Sequence, residues 1–199
     1  MSVLVNRAAP DFKAQAVMGD GSIGELKLSD YRGKKYVALF FWPLDFTFVC
    51  PSEIIAHEHR RKALEAIDVQ LIGVSIDSQF THYAWRNTPI NKGGIGEVGF
   101  PIVADVNHEI VRAYGCEHQD GVAFRATFLI DKAGIVQHQT VNNLPLGRNV
   151  DELVRLAEAL QYTEKHGEVC PAGWKKGDAA MKPTAEGVAD YLAKHAKAL

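Results

Sequence analysis

The chain has 199 residues, of which 47% are hydrophobic and 23% charged, and its formal net charge is −2. These values fit a globular protein with one core of fair size, and they give no argument for binding nucleic acid or an anionic membrane surface. The longest apolar run, Tyr36 to Leu44, is too short to span a bilayer, and residues 1–7 contain no apolar signal segment. Three widely spaced cysteines do not form a secreted disulfide framework, so we expect a cytoplasmic location in a reducing cytosol.

Strand-like and helix-like segments alternate along the chain. The predicted strands are Tyr36–Phe41, Val69–Ser75, Thr127–Ile130 and Ile135–Val141, and the last two flank a hairpin turn signal at residues 131–134. The predicted helices run from Ser52 to about Ile67, from a cap at Ser78 to about Arg86, and onward from a capping-box-like start at Asn149 and Glu152. This order predicts an α/β fold in which helices flank a mixed central sheet.

The sequence changes character beyond residue 163. Residues 164–174 are rich in turn formers, residues 175–183 are polar, and Thr184 is predicted to cap a last helix. We therefore predict one domain over residues 3–163 and a C-terminal arm over residues 164–199. The arm would pack on the domain or on a partner subunit.

The most informative segment runs from Phe41 to Glu53, where an apolar strand reaches Pro43 and a helix is predicted to start at Cys50. Only the thiolate form of cysteine is a good nucleophile, and a helix N-terminus stabilises a thiolate through unpaired N–H groups and the helix dipole. Thr47 comes one helical turn earlier, so its hydroxyl can reach the sulfur. The competing interpretations are a buried structural cysteine, a helix cap at Thr47 and a strand terminator at Pro43.

The spacing Pro43-x-x-x-Thr47-x-x-Cys50 resembles the active-site signature of the peroxiredoxins. The wider run resembles their typical two-cysteine branch, which includes the alkyl hydroperoxide reductase C subunits. The resemblance extends from about Val3 to the C-terminus. It implies a thioredoxin fold of the peroxiredoxin type and a thiol-dependent peroxidase for hydrogen peroxide and organic hydroperoxides, with no metal, haem or flavin cofactor.

The same resemblance implies roles for individual residues. Cys50 would attack the peroxide and become a sulfenic acid, and Arg125 would hold the thiolate and the peroxide oxygens. Glu53 and Arg148 match positions that orient the active-site arginine. Cys170 resembles the resolving cysteine, which the family takes from the other subunit to form an intersubunit disulfide. Each assignment has a competing interpretation. Glu53 could be an ordinary acid in the first turn of a helix, and Cys170 an incidental cysteine of the tail. The two arginines could be surface residues.

The family implies a homodimer, often five dimers in a decamer, and recycling by a dithiol protein. A glycine-rich loop at residues 91–96 and the long C-terminal arm favour thioredoxin over a dedicated flavoprotein reductase. A redox relay or holdase chaperone on the same scaffold is a further alternative. A Cys-x-x-Cys disulfide oxidoreductase is disfavoured, because Thr47 and Glu53 occupy the positions where its second cysteine would stand.

Two further features concern over-oxidation of the catalytic cysteine and the role of the third cysteine. The loop Asn91 to Gly96 resembles the Gly-Gly-Leu-Gly loop of easily over-oxidised peroxiredoxins, but Tyr191-Leu192 stands where a Tyr-Phe pair is usual. This departure predicts intermediate sensitivity of the catalytic cysteine to over-oxidation. Cys116 matches no catalytic pattern and is interpreted as a bystander thiol, and the eight histidines show no zinc-ligand spacing.

Overall fold

The computed structural model describes residues 3–198. Met1 and Ser2, at the start of the segment assessed for a signal, and Leu199, at the end of the predicted arm, lie outside the described residues. Contacts divide the chain into two compact units, and the division falls directly after Val150. Within residues 3–198, no helix combines the length and the apolar character needed to cross a bilayer.

The first unit is built on a seven-stranded sheet. Its strands are β1 Lys13–Val17, β2 Ile23–Lys27, β3 Tyr36–Phe41, β4 Val69–Ser75, β5 Ile102–Ala104, β6 Arg125–Ile130 and β7 Val136–Asn142. Across the sheet they follow the order β2-β1-β5-β4-β3-β6-β7. Strand β4 is parallel to β3 and β5, and the other neighbouring pairs are antiparallel. The predicted mixed sheet is therefore confirmed.

Between residues 3 and 198, five α-helices accompany the strands. They are α1 Cys50–Glu65, α2 Gln79–Arg86, α3 Glu109–Ala113, α4 Val150–His166 and α5 Ala185–His195. Ser78 and Thr184 cap α2 and α5 as predicted, because their side chains accept hydrogen bonds from the N–H groups of Thr81 and Gly187. The structure starts β6 two residues before the predicted strand, since Arg125 already pairs with Asn142 of β7.

The centre of the sheet explains where the chemistry can be placed. Every residue of β3 is buried, as expected for a strand covered on both faces. Strand β3 is parallel to its neighbour β4. The loop that follows β3 leads directly into α1. The N-terminus of α1 is thereby fixed close to the end of a fully buried strand.

Candidate active site

Cys50 is the first residue of α1 and is fully buried. Pro51 follows in the first turn, where a proline costs no helical hydrogen bond. The N-cap is Val49, and no side chain caps this helix end. The interpretation of Thr47 as a helix cap is therefore wrong, and its hydroxyl is available for other bonds.

The hydroxyl of Thr47 contacts the sulfur directly. Its Oγ1 lies 2.9 Å from Cys50 Sγ and 2.8 Å from the carbonyl oxygen of Leu44. A hydroxyl carries one proton and two acceptor sites. It can therefore accept from a thiol while donating to Leu44, or donate to a thiolate. The same side chain serves both protonation states of Cys50.

Arg125 supplies a fixed positive charge at the sulfur. Its Nη1 lies 3.3 Å from Cys50 Sγ and 2.7 Å from Glu53 Oε2, and its Nε donates to the carbonyl of Leu144 at 2.6 Å. The side chain is only 4% exposed, although it opens a strand, where charged residues usually face solvent. Because both ends of the guanidinium are held, its charge is directed at Cys50.

Glu53 joins the two arginines into one buried network. Arg148 donates to its carboxylate from Nε at 2.8 Å, from Nη2 at 3.0 Å and from the backbone N–H at 2.9 Å. Burial by itself would raise the pKa of Glu53, but the charge and hydrogen bonds of Arg148, with the charge of Arg125, hold that pKa below its usual value. Two guanidinium groups and one carboxylate leave one positive charge, which a thiolate at Cys50 balances.

A pocket of about 430 Å³ opens at this network. It is lined by Pro43, Thr47, Phe48, Val49, Arg125, Leu144 and Pro145. Among these lining residues, Thr47 and Arg125 supply the polar side chains, and the others are apolar. Apolar walls around two convergent polar groups suit a small ligand with one polar end. Pro43 thus both follows the strand and closes one side of the pocket.

The loop that carries Thr47 has an anchor that the sequence did not reveal. Asp45 is buried, accepts hydrogen bonds from Trp42 at 2.9 Å and pairs with His82 at 2.7 Å, and its own N–H donates to Asp77 at 2.9 Å. Burial raises the pKa of Asp45, although the bond to His82 opposes the rise. The one available signal was an aspartate inside an otherwise apolar loop.

Phe46, the next residue, adopts a left-handed backbone with φ of 54°. Such a conformation costs free energy in a non-glycine residue. The ring packs 5.8 Å from the ring of Trp85, and the indole N–H of Trp85 donates to Gly93 at 2.8 Å. The Asn91 to Gly96 loop is thus joined to the active-site loop through one buried tryptophan. The effect on over-oxidation, which also involves Tyr191-Leu192 of α5, stays a prediction.

His57 lies one turn after Glu53 and is 1% exposed. Its Nδ1–H donates to the Glu53 carbonyl at 2.7 Å, and its ring stacks on Phe40 with centroids 3.9 Å apart. Burial, helped by the charge of Arg148, lowers the pKa of His57 to about 3. This neutral imidazole completes the packing of α1 against β3.

The other two cysteines have different surroundings. Cys116 is fully buried, and burial raises its pKa to about 12, so the thiol stays protonated. Cys170 lies in the second unit, half-buried, with its Sγ 3.7 Å from the Ala159 carbonyl. Burial raises the pKa of Cys170 as well. Of the predicted site residues, the first unit therefore brings together all but Cys170.

Within residues 3–198, no cluster of three or more histidine, cysteine, aspartate or glutamate side chains is arranged to hold a metal ion. The charge that faces Cys50 comes from Arg125, which Glu53 links to Arg148.

Comparisons with known proteins cover almost the whole chain. A family model described as the AhpC/TSA family matches residues 5–139, and one described as the C-terminal domain of 1-Cys peroxiredoxin matches residues 159–194. Alkyl hydroperoxide reductase C of Helicobacter pylori strain J99 is 54% identical over 191 residues, 96% of each chain. The reduced 2-Cys peroxiredoxin of Plasmodium vivax is 52% identical, with a TM-score of 0.95 over 96% of this chain and 100% of that one. Thioredoxin peroxidase I of Plasmodium yoelii is 54% identical, with a TM-score of 0.78 over 87% of this chain and 99% of that one.

Proposed function

Because the chain belongs to the AhpC/TSA family and is a peroxidase of the peroxiredoxin type, we propose that it reduces hydrogen peroxide and organic hydroperoxides at Cys50. The solved relatives also confirm the predicted peroxiredoxin form of the thioredoxin fold. One observation carries the proposal. The sulfur of Cys50 lies at the N-terminus of α1, 2.9 Å from the Thr47 hydroxyl and 3.3 Å from the Arg125 guanidinium.

The first chemical step uses this geometry. The Cys50 thiolate attacks one peroxide oxygen, so an S–O bond forms and the O–O bond breaks. The leaving oxygen takes a proton and departs as water or an alcohol, and Cys50 becomes a sulfenic acid. Arg125 donates to the peroxide oxygens and the sulfur together, which stabilises the negative charge as it moves between them. The Thr47 hydroxyl accepts a hydrogen bond from the O–H group of the bound peroxide and thereby orients it.

In the second step, the resolving cysteine is Cys170 of a second subunit, and the product is an intersubunit disulfide. Strand β7 supports a homodimer, because it lies at one end of the sheet and pairs with β6 alone among the described strands. A free strand edge is commonly covered by a partner. The segment from residue 164 onward then acts as an arm that brings Cys170 to the neighbouring Cys50.

A second surface supports assembly of dimers into a decamer. Phe46, Phe80, Tyr83 and Ile90 are large apolar side chains with exposed fractions of 46% to 67%. They belong to the active-site loop, to α2 and to the turn after it. Exposed apolar side chains of this kind typically mark a protein–protein contact.

Thioredoxin is the reductant that we propose, and the reaction would take place in the cytosol. The Plasmodium yoelii relative is named a thioredoxin peroxidase, which supports this choice. The Helicobacter pylori relative is named alkyl hydroperoxide reductase C, so recycling by a dedicated flavoprotein is the second candidate. Peroxide-dependent NADPH oxidation with each purified reductase system separates the two. Turnover with the flavoprotein and none with thioredoxin would reverse the order.

The disulfide is tested by adding one equivalent of hydrogen peroxide to the reduced protein before a non-reducing gel. We expect a covalent dimer for the wild type and for the control Cys116→Ala. We expect a monomer band for Cys50→Ser and for Cys170→Ser. An oxidised wild type that stays a monomer band would contradict the intersubunit disulfide, and loss of the dimer in Cys116→Ala would give that thiol a role.

A further inference from the structure

Two side chains and one backbone carbonyl on one face of α4 hold the segment around Cys170 at three points. The hydroxyl of Tyr162 donates to Glu168 Oε2 at 2.7 Å, ahead of the cysteine. The Cys170 thiol itself donates to the Ala159 carbonyl at 3.7 Å. Beyond it, Arg155 Nη1 donates to the Trp174 carbonyl at 2.9 Å. Because Arg155, Ala159 and Tyr162 are spaced four and three residues apart, they follow one face of the helix.

The ring of Tyr162 strengthens this arrangement. It packs with its centroid 4.9 Å from the ring of Trp174 and 4.4 Å from that of His166. Trp174 is only 2% exposed, so the turn after Cys170 is well packed. Tyr162 therefore contacts the cysteine segment on both sides, by its hydroxyl before Cys170 and by its ring after it.

A backbone bridge limits movement of the same segment from the other side. Val169 and Met181 exchange two hydrogen bonds, of 2.9 Å and 3.1 Å. The two residues before Cys170 are therefore both held in place. Val169 is bonded to Met181, and Glu168 is bonded to Tyr162. A proposed resolving cysteine in a C-terminal arm is here an ordered part of its unit.

This ordered position is unsuitable for the resolving reaction. A carbonyl oxygen only accepts hydrogen bonds, so the Ala159 carbonyl stabilises the thiol of Cys170 and disfavours its thiolate. Burial raises the pKa of Cys170, the charge of Glu168 adds to the rise, and Arg155 opposes it. To react, the sulfur has to leave α4 and lose its proton. The bonds that hold the segment therefore oppose the step that uses Cys170.

We propose that Tyr162 is a positioning residue whose bond to Glu168 sets the rate at which Cys170 becomes available. The inference rests on the proposed role of Cys170. In that step the Cys170 sulfur gives up its proton and bonds to the Cys50 sulfur. The S–O bond of the sulfenic acid breaks, and the hydroxyl leaves with that proton as water. A slow release gives a second peroxide molecule time to oxidise Cys50 to sulfinic acid.

The first test does not depend on peroxide. In a reduced Cys50→Ser, Cys116→Ala background, Cys170 is the one thiol left, and N-ethylmaleimide alkylation reports its availability. Tyr162→Phe removes the hydroxyl and keeps the ring, so we expect alkylation about fivefold faster, as for loss of one hydrogen bond. Tyr31→Phe, which removes a hydroxyl from the first unit, is the control and should leave the rate unchanged.

A second variant separates the hydrogen bond from the charge. Glu168→Gln keeps an oxygen that accepts from Tyr162 but removes the negative charge two positions before Cys170. We expect its alkylation rate to rise at a lower pH than in the background protein, whereas Tyr162→Phe should speed alkylation across the whole pH range. Alkylation that is unchanged or slower in Tyr162→Phe, with folding confirmed by circular dichroism, would overturn the inference.

The last measurement uses the native cysteines. In Tyr162→Phe we expect faster disulfide formation after a peroxide pulse and less sulfinic acid by intact mass, while the initial consumption of peroxide is unchanged. Faster alkylation without faster disulfide formation would overturn the link to resolution. If no intersubunit disulfide forms in the wild type, the proposed function fails, and the alkylation result still reports whether Tyr162 holds Cys170.

Discussion

Cys50 and Cys170 show that exposure and reactivity are separate properties of a thiol. Cys50 is fully buried, yet its sulfur contacts a guanidinium and a hydroxyl at the start of a helix. Cys170 is partly exposed, yet its sulfur faces a carbonyl that favours the protonated form. The groups within hydrogen-bond distance of each sulfur, rather than its exposure, therefore support the roles that we propose for the two cysteines.

Cys116 extends the comparison to a buried thiol without such partners. It is as buried as Cys50, but burial there raises the pKa to about 12. The Arg125 guanidinium, the Thr47 hydroxyl and the start of a helix surround Cys50 and are not among the partners of Cys116. Weakening these contacts should make Cys50 behave more like Cys116, and the following predictions measure by how much.

The largest effect is expected at Arg125. Arg125→Met removes the charge that faces Cys50 Sγ, and loss of one preorganised donor to a reacting group typically costs about 10²- to 10³-fold in rate. Stopped-flow measurement of peroxide reduction by the reduced protein tests this. Arg112→Met is the control, because Arg112 is an exposed arginine that pairs with Glu117. A loss under tenfold would mean that the helix N-terminus alone activates Cys50.

Glu53 should matter most for stability. Glu53→Gln leaves two buried guanidinium groups without their carboxylate, which we expect to cost about 3 kcal/mol at pH 7. The pKa of Glu53 is held low in the folded state, so its stabilisation is present above the unfolded value and is lost as pH falls through the folded value.

Urea unfolding of the wild type and of Glu53→Gln at pH 7 and at pH 3 measures both expectations. The difference in the free energy of unfolding between the two proteins should be smaller at pH 3. Glu25→Gln breaks an exposed ion pair with Lys13 and should change stability by less than about 1 kcal/mol. Equal costs in the two variants would show that burial of the pair is unimportant.

His57 tests the layer beneath the site. Its pKa of about 3 lies below the ordinary value of 6.5, so the unfolded chain binds a proton more readily. Stability from the neutral form is present above pH 6.5 and falls as the pH drops toward 3. His57→Phe keeps a ring against Phe40 but cannot bind a proton. Between pH 6.5 and pH 5, we therefore expect the free energy of unfolding to fall by roughly 2 kcal/mol less in this variant than in the wild type.

Chemical unfolding at those two pH values measures this contribution. His59→Gln, at an exposed histidine two positions along the same helix, is the matched control and should retain the acid sensitivity of the wild type. An unchanged pH dependence in His57→Phe would mean that the pKa of His57 is the same in the folded and the unfolded protein.

The smallest effect is expected at Thr47. Thr47→Val removes the hydroxyl that lies 2.9 Å from the sulfur, and we expect peroxide reduction to slow about tenfold, the loss of one hydrogen bond to a charged group. Thr47→Ser should restore most of the rate. If serine fails where threonine works, the methyl group and its packing carry the effect instead of the hydroxyl.

The linear motif predicted the central part of the site because its residues are close in sequence. Pro43, Thr47 and Cys50 fall within one loop and one helical turn, so strand and helix rules alone place them together. Arg125 and Arg148 come from distant segments, and only the family resemblance pointed to them. The structure shows what brings the two arginines together, because both donate hydrogen bonds to Glu53.

Long-range pairs and short strands were beyond sequence reasoning. Asp45 and His82 are 37 positions apart and meet only because β3 and β4 lie side by side. Strand β5 has only three residues, and β2 shows little apolar alternation. Strand β1 does alternate, but its apolar positions 14 and 16 are alanines, which are weak strand formers. The sequence does not mark His57 as a core residue, and its stacking on Phe40 is evident only in the structure.

The charge balance around Glu53 also changes once in every catalytic cycle. With a thiolate at Cys50, the two arginines and the glutamate form an electrically neutral set. A sulfenic acid carries no charge, so oxidation leaves one buried guanidinium without a counterion. A buried unbalanced charge draws in water or anions. On the chemistry proposed for Cys50, we therefore expect solvent to enter this site more readily in the oxidised protein than in the reduced one.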